Sequence, residues 1–146
     1  MCEYAESMDE KIKVQIVKTV DTEQVKNLYR DAGWWDEDTD NADPDFIKKI
    51  IKGSFCFVAA SINDRLIGMG RALSDGACDA YIQDVAVLKE FRGRGIGVLI
   101  MDELTKYLKN KNINWITIVS EPNAVPFYEK YGFSQMTDFI PFTLKK

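Results

Sequence analysis

Histidine is absent from this chain, and cysteine occurs only at Cys2, Cys56 and Cys78, with no paired spacing. No mechanism can therefore rest on an imidazole, and a structural zinc site would need unusual ligands. An odd number of scattered thiols suits a reducing compartment rather than a disulfide framework. Excess positive charge is missing as well. With 19 basic and 23 acidic side chains the formal charge is −4, so no global field is available to hold a nucleic-acid backbone. No apolar run approaches the roughly 20 residues of a membrane span. The N-terminal stretch MCEYAESMDE is acidic and lacks the basic-then-apolar order of a secretory signal. These absences lead us to expect a cytoplasmic protein with no metal, membrane or nucleic-acid partner.

What is present suits a folded globular protein. Apolar residues make up 46% of the 146 and charged residues 29%, which argues against disorder. The length fits one domain over residues 1–146, with 1–10 as a flexible N-terminus. Residues 11–20 alternate like a half-buried strand. Asp21 or Thr22 then caps a helix whose inner face carries Val25, Leu28 and Tyr29. Six acidic residues between Asp36 and Asp45 lead to a second helical pattern at Phe46, Ile47, Ile50 and Ile51. Apolar runs at 55–62, 66–73 and 78–87, broken by NDR and SDG, read as an antiparallel meander. A helix over 95–111, the strand NWITIVS and a short helix in NAVPFYEKYG follow, and residues 133–144 leave room for two last strands. We expect an α+β fold with one α/β-type parallel crossover. Its sheet is mixed, mostly antiparallel, of about six to seven strands, flanked by about four helices.

The most informative stretch is EFRGRGIGVLIMDEL, beginning at Glu90. It follows a strand and opens a helix, so exposed amides and the positive end of the helix dipole converge there on an anion. Arg92 and Arg94 add forked donors that match phosphate oxygens. A P-loop needs a Lys after its glycines, and none is present. A dinucleotide fingerprint needs a third Gly where Val98 stands, and an acidic residue about 20 positions on, where residues 114–118 have none.

The pattern that remains, Arg92-x-x-Gly95-x-Gly97 after the strand QDVAV, resembles the acyl-coenzyme A signature of the GCN5-related N-acetyltransferase (GNAT) superfamily. Farther on, EPNAVPFYEKYGF resembles the second hallmark of that superfamily. YIQDVAV and FYEKYGF look most like its small-molecule branches, such as amino-sugar or arylalkylamine acetyltransferases. The resemblance implies acetyl-CoA as co-substrate. The backbone of Val85, Ala86 and Val87 would then pair with the pantetheine arm, and Arg92, Gly93, Arg94, Gly95, Ile96 and Gly97 would hold the pyrophosphate. Asn123 and Phe127 would complete the coenzyme site, although a helix cap also explains Asn123. Tyr128 matches the tyrosine that protonates the departing sulfur, a task suited to a phenol that stays protonated at neutral pH.

The acceptor side is more open. An alkyl ammonium must lose its proton before it can attack a thioester. Asp84, Tyr81 and Glu121 are the candidates for receiving it, alongside water or a backbone carbonyl. Trp34 and Trp35 are candidate walls of an acceptor cleft, the acidic stretch after them would attract a cation, and Arg71 is a candidate for an anionic group. The expected activity is transfer of acetyl from acetyl-CoA directly to a primary amine of a small molecule, by a homodimer as is frequent among relatives. The rivals are a peptide or protein amine as acceptor, and an acyl-CoA-binding sensor without turnover.

Overall fold

The computed structural model describes residues 11–36 and 44–145. Of the acidic stretch, residues 37–43 therefore lie outside the described residues, as does the expected flexible segment 1–10. Five strands form one sheet in the order β1-β2-β3-β4-β5: β1 Lys13–Ile16, β2 Cys56–Ile62, β3 Arg65–Leu73, β4 Asp79–Val87 and β5 Trp115–Ile118. All neighbours are antiparallel except β4 and β5, which run parallel. Among the described residues four helices accompany them: α1 Thr22–Asp31, α2 Phe46–Gly53, α3 Ile96–Asn110 and α4 Val125–Tyr131.

The elements follow from local chemistry. The Asp21 carboxylate accepts the amides of Glu23 and Gln24 at the start of α1, and Val25, Leu28 and Tyr29 are buried as the spacing requires. α3 buries Ile96, Ile100, Met101, Leu104 and Leu108, a stripe of helical period. Six of the seven residues of β2 are buried, because α3 covers one face of the sheet and α1 with α2 the other. Covering both faces accounts for the continuous apolar run at 55–62 in place of alternation.

The glycines of β3 set how closely α3 approaches. A Cβ added at Gly70 would lie 2.8 Å from Ile100 Cγ2 and 2.9 Å from Leu104 Cδ1. Gly70→Val should therefore overpack this contact and destabilise the fold by about 1–3 kcal/mol. In urea unfolding the midpoint is expected to fall with the slope unchanged. An unchanged midpoint would mean that α3 lifts freely from the sheet.

The sheet is smaller than expected. No strand occurs among residues 133–145, so the described sheet has five strands rather than six to seven. The amides of Gly132 and Phe133 both close on the Tyr128 carbonyl at the end of α4, and no backbone hydrogen bond then ties residues 134–145 to β5. Room in the chain for two more strands does not supply the neighbouring edge they would pair with.

Candidate active site

The site begins where two parallel strands part. β4 pairs with β5 only through Asp79–Ile82 against Trp115–Ile118, so Val85, Ala86 and Val87 run on without a neighbour on that side. A bulge marks the departure. Met69 faces Ala86 and Arg71 faces Gln83, so β4 spends one residue more than β3 over this interval. Asp84 within it has φ 56°, a left-handed conformation that Asp tolerates better than most residues. The extra residue also breaks simple alternation at Asp84, on which any sequence-based placement of its side chain depends.

A short helical turn at Lys89–Phe91 then leads to the glycine segment. Arg92 Nε donates to the Val87 carbonyl at 3.0 Å, which folds the loop back toward the end of β4. Arg94 lies over the Phe91 ring at 5.1 Å from its centroid, and Arg65 lies over the same ring at 5.3 Å while pairing with Glu90. Gly95, with φ 78°, is the N-cap of α3, which begins at Ile96, one residue later than the expected start at 95. The Gly95 carbonyl accepts from the Leu99 amide, so the amides just after Gly95 lack intrahelical acceptors. Gly97 is needed for space: a Cβ there would stand 3.2 Å from the Phe127 ring.

Together these elements enclose a cleft of about 1010 Å³ between the end of β4, the N-terminus of α3 and α4. Of the expected coenzyme residues, Val85, Ala86, Val87, Arg92, Gly93, Gly95, Ile96, Gly97, Asn123 and Phe127 line it, and Arg94 does not. Lys89, Arg92 and Lys130 give the lining three cations against the single carboxylate of Glu121. Lys89, Phe91 and Lys130 escaped the sequence reading: Phe91 and Lys130 stand within the two motifs at positions given no role, and Lys89 stands just before the first. Asn123 sits in a short turn before α4, where no side-chain cap forms, and its amide makes no hydrogen bond among the described residues. Capping therefore does not account for it.

Tyr128 lines the same cleft, and its hydroxyl has no hydrogen-bond partner among the described residues. Phe127 and Phe133 hold its ring edge-on, with centroids at 5.1 and 6.1 Å. Burial raises its pKa above the ordinary phenol value, helped by Glu121 and Tyr81 nearby. The acid form is thus kept at neutral pH. Tyr131, one turn on, donates to Asp102 at 2.8 Å and so fastens α4 to α3.

The expected acceptor residues divide into two groups. Trp34 lines the cleft, and its Nε1 donates to Glu121 Oε1 at 2.8 Å, linking the segment after α1 to the end of β5. Trp35 instead stacks on Tyr29 at 4.3 Å and packs against the core. Asp84 Oδ2 accepts from Arg71 Nε at 2.6 Å and from the Tyr29 hydroxyl at 2.7 Å. Arg71 also reaches Ser54 Oγ at 3.4 Å. Burial and the Asp84 carboxylate push the Tyr29 phenol far above its usual range. Trp35, Arg71, Tyr81 and Asp84 are not part of the cleft lining. Among the described residues no group of three or more Cys, Asp or Glu is gathered as a metal would require, and no helix is long and apolar enough to cross a membrane.

Residues 16–140 match the Acetyltransferase (GNAT) domain family, and the chain belongs to that family. An uncharacterized N-acetyltransferase ycf52 of Porphyra purpurea is 40% identical over 76 residues, which cover 52% of this chain and 44% of that relative. A probable acetyltransferase of meticillin-resistant Staphylococcus aureus superposes with a TM-score of 0.77 at 29% identity, over 93% of this chain and all of that one. The aminoglycoside N-acetyltransferase AAC(6')-Iy, in a complex with CoA, shares the fold with a TM-score of 0.71 at 15% identity, over 93% of this chain and 95% of its own.

Proposed function

We propose that residues 1–146 work as one N-acetyltransferase domain that moves the acetyl group of acetyl-CoA directly to a primary amine of a small molecule, in the cytoplasm. The observation that carries this reading is one cleft with an anion cradle at the α3 N-terminus, an unpaired stretch of β4, and an unpartnered phenol on α4. The CoA held by the aminoglycoside enzyme of the same fold supports the choice of coenzyme. The residues present fit that molecule. Gly97 leaves room that any side chain would take from Phe127, and the free amides after Gly95 suit a pyrophosphate.

Acetyl-CoA supplies an acetyl group activated as a thioester. The chain's own contribution is binding, polarisation and proton supply. The loop of Arg92, Gly93, Gly95, Ile96 and Gly97 binds the pyrophosphate, with Lys89 and Lys130 adding positive charge, while Arg94 stays on the Phe91 ring outside the lining. The unpaired backbone of Val85–Val87 pairs with the pantetheine amides, as Asn123 does, and an amide there polarises the acetyl carbonyl. As the N–C bond forms and the C–S bond breaks, Tyr128 donates its proton to the departing sulfur and the acceptor nitrogen gives up its protons to water in the cleft. Trp34 and Glu121 border the acceptor end, where Glu121 is the one carboxylate of the lining and attracts the acceptor's ammonium. Asp84 and Arg71, outside the cleft lining, neutralise each other and hold the bulge.

The test is thiol release from acetyl-CoA with a panel of small amines and amine-bearing peptides. Turnover is expected with at least one small amine. Turnover with peptides alone would assign a peptide or protein acceptor, and tight coenzyme binding with no turnover across the panel would favour a sensor.

A further inference from the structure

The cradle and the phenol belong to two helices whose leading strands separate. β4 runs into the glycine loop and α3, β5 runs into α4, and the ladder between the strands stops at Ile82 and Ile118. Past that point no strand pairing fixes how far α4 stands from α3. α4 has seven residues, and none of them is buried. A helix so short takes its place from what it touches. Its Phe127 ring rests against Gly97 of α3, an apolar contact that sets closeness but little direction. Direction comes from Tyr131. Its hydroxyl donates to Asp102 Oδ1 at 2.8 Å and lies 3.1 Å from Thr105 Oγ1. Among the described residues these are the only side-chain hydrogen bonds between the two helices. Tyr131 also stacks on Phe133 with ring centroids 6.0 Å apart, and Phe133 is one of the two rings that hold Tyr128 edge-on. A shift of Tyr131 therefore reaches Tyr128 through a shared neighbour as well as along the helix.

We propose that Tyr131 is a positioning residue for the acyl transfer: its hydroxyl, held by Asp102 and Thr105, locks α4 onto α3 and so sets the distance between the pyrophosphate cradle and the Tyr128 hydroxyl. The inference rests on the donor role of Tyr128 given above. One coenzyme molecule must meet both helices at once, with its pyrophosphate on α3 and its sulfur beside α4. An error in their spacing then falls on the sulfur end, where the Tyr128 hydroxyl has no partner of its own to hold it in place. Tyr131 acts through Tyr128 and gives no proton to the reaction, because its hydroxyl is already engaged with Asp102. The parting of β4 and β5 that admits the pantetheine arm removes the ladder between their ends, and the Tyr131 bond replaces it one helical turn beyond the donor.

Tyr131→Phe keeps the ring and its stacking on Phe133, so the far-UV spectrum should not change. Since a misplacement of about 1 Å can cost about 10²-fold in rate, kcat should fall about tenfold, with the KM for acetyl-CoA within about threefold of the parent. Asp102→Ala should reproduce the loss, and Asp102→Asn, which keeps an acceptor oxygen, should recover most of it. In a Tyr128→Phe background, Tyr131→Phe should cost nothing further, because no donor is left to misplace. Hydrogen exchange reads the lock without any turnover: the amides of Gly132 and Phe133, which close on the Tyr128 carbonyl, should exchange about fivefold faster in Tyr131→Phe, with α3 unchanged. Equal kcat in Tyr131→Phe and parent, or a tenfold loss that persists in the Tyr128→Phe background, would overturn the positioning role. Unchanged exchange at the end of α4 would overturn the lock itself. A Tyr128→Phe rate equal to the parent, with exchange still accelerated by Tyr131→Phe, would instead remove the donor assignment on which the proposal rests.

Discussion

Gly95→Val is expected to cost the protein its coenzyme. The backbone at Gly95 has φ 78°, a region in which a β-branched residue is a steric outlier, at a strain of about 1–3 kcal/mol. A Cβ at this position meets nothing within 4 Å, so crowding by neighbours does not enter. What changes is the direction of the chain as it enters α3, and with it the aim of the amides that face the phosphates. Since 1.4 kcal/mol is tenfold in affinity, strain of this size with loss of the amide contacts should weaken CoA binding by about a hundredfold or more. Titration calorimetry with CoA reads this directly, and thermal unfolding checks that α3 remains folded. A dissociation constant within a few-fold of the parent would remove the pyrophosphate from this loop.

The features legible in the sequence are those encoded by neighbours along the chain. The glycine loop, the apolar stripe of α3, the cap at Asp21 and the short helix in FYEKYGF each lie within one or two turns, where spacing and residue type act directly. Gly68 and Gly70, alternating in IGMGRAL, also held a signal: two glycines on one strand face mark the close approach of another element, here α3. What could not be read depends on partners far apart. Asp84 looked like a free carboxylate beside the coenzyme strand, yet its companions are 13 and 55 residues away at Arg71 and Tyr29. Trp34 and Trp35 are adjacent but face different surroundings, one bonded to a glutamate 87 residues on and the other stacked on Tyr29. The last two strands failed for the same reason, because room for a segment in the chain leaves its pairing edge undetermined.

The second large effect is expected at Tyr128. Tyr128→Phe removes one oxygen and keeps the ring, so the edge contacts with Phe127 and Phe133 and the packing of α4 should persist. Coenzyme affinity should therefore change little. Turnover should not survive so well, because positioned proton transfer typically contributes about 10²–10⁴ in rate, and the cleft has no other unpartnered phenol in line to replace it. We expect kcat to fall by about a hundredfold at neutral pH, with the KM for acetyl-CoA nearly constant. The pH profile separates this role from a structural one. Burial first, then the charges of Glu121 and Tyr81, hold the Tyr128 pKa above the ordinary phenol value of about 10. A group acting as an acid works while its proton is on, so the parent rate should persist through pH 9 and decline only above pH 10. The variant, with no proton to lose at this position, should lack that decline. Equal kcat in parent and variant, or an alkaline limb that remains after the substitution, would take the proton donor away from Tyr128 and leave it a wall of the cleft.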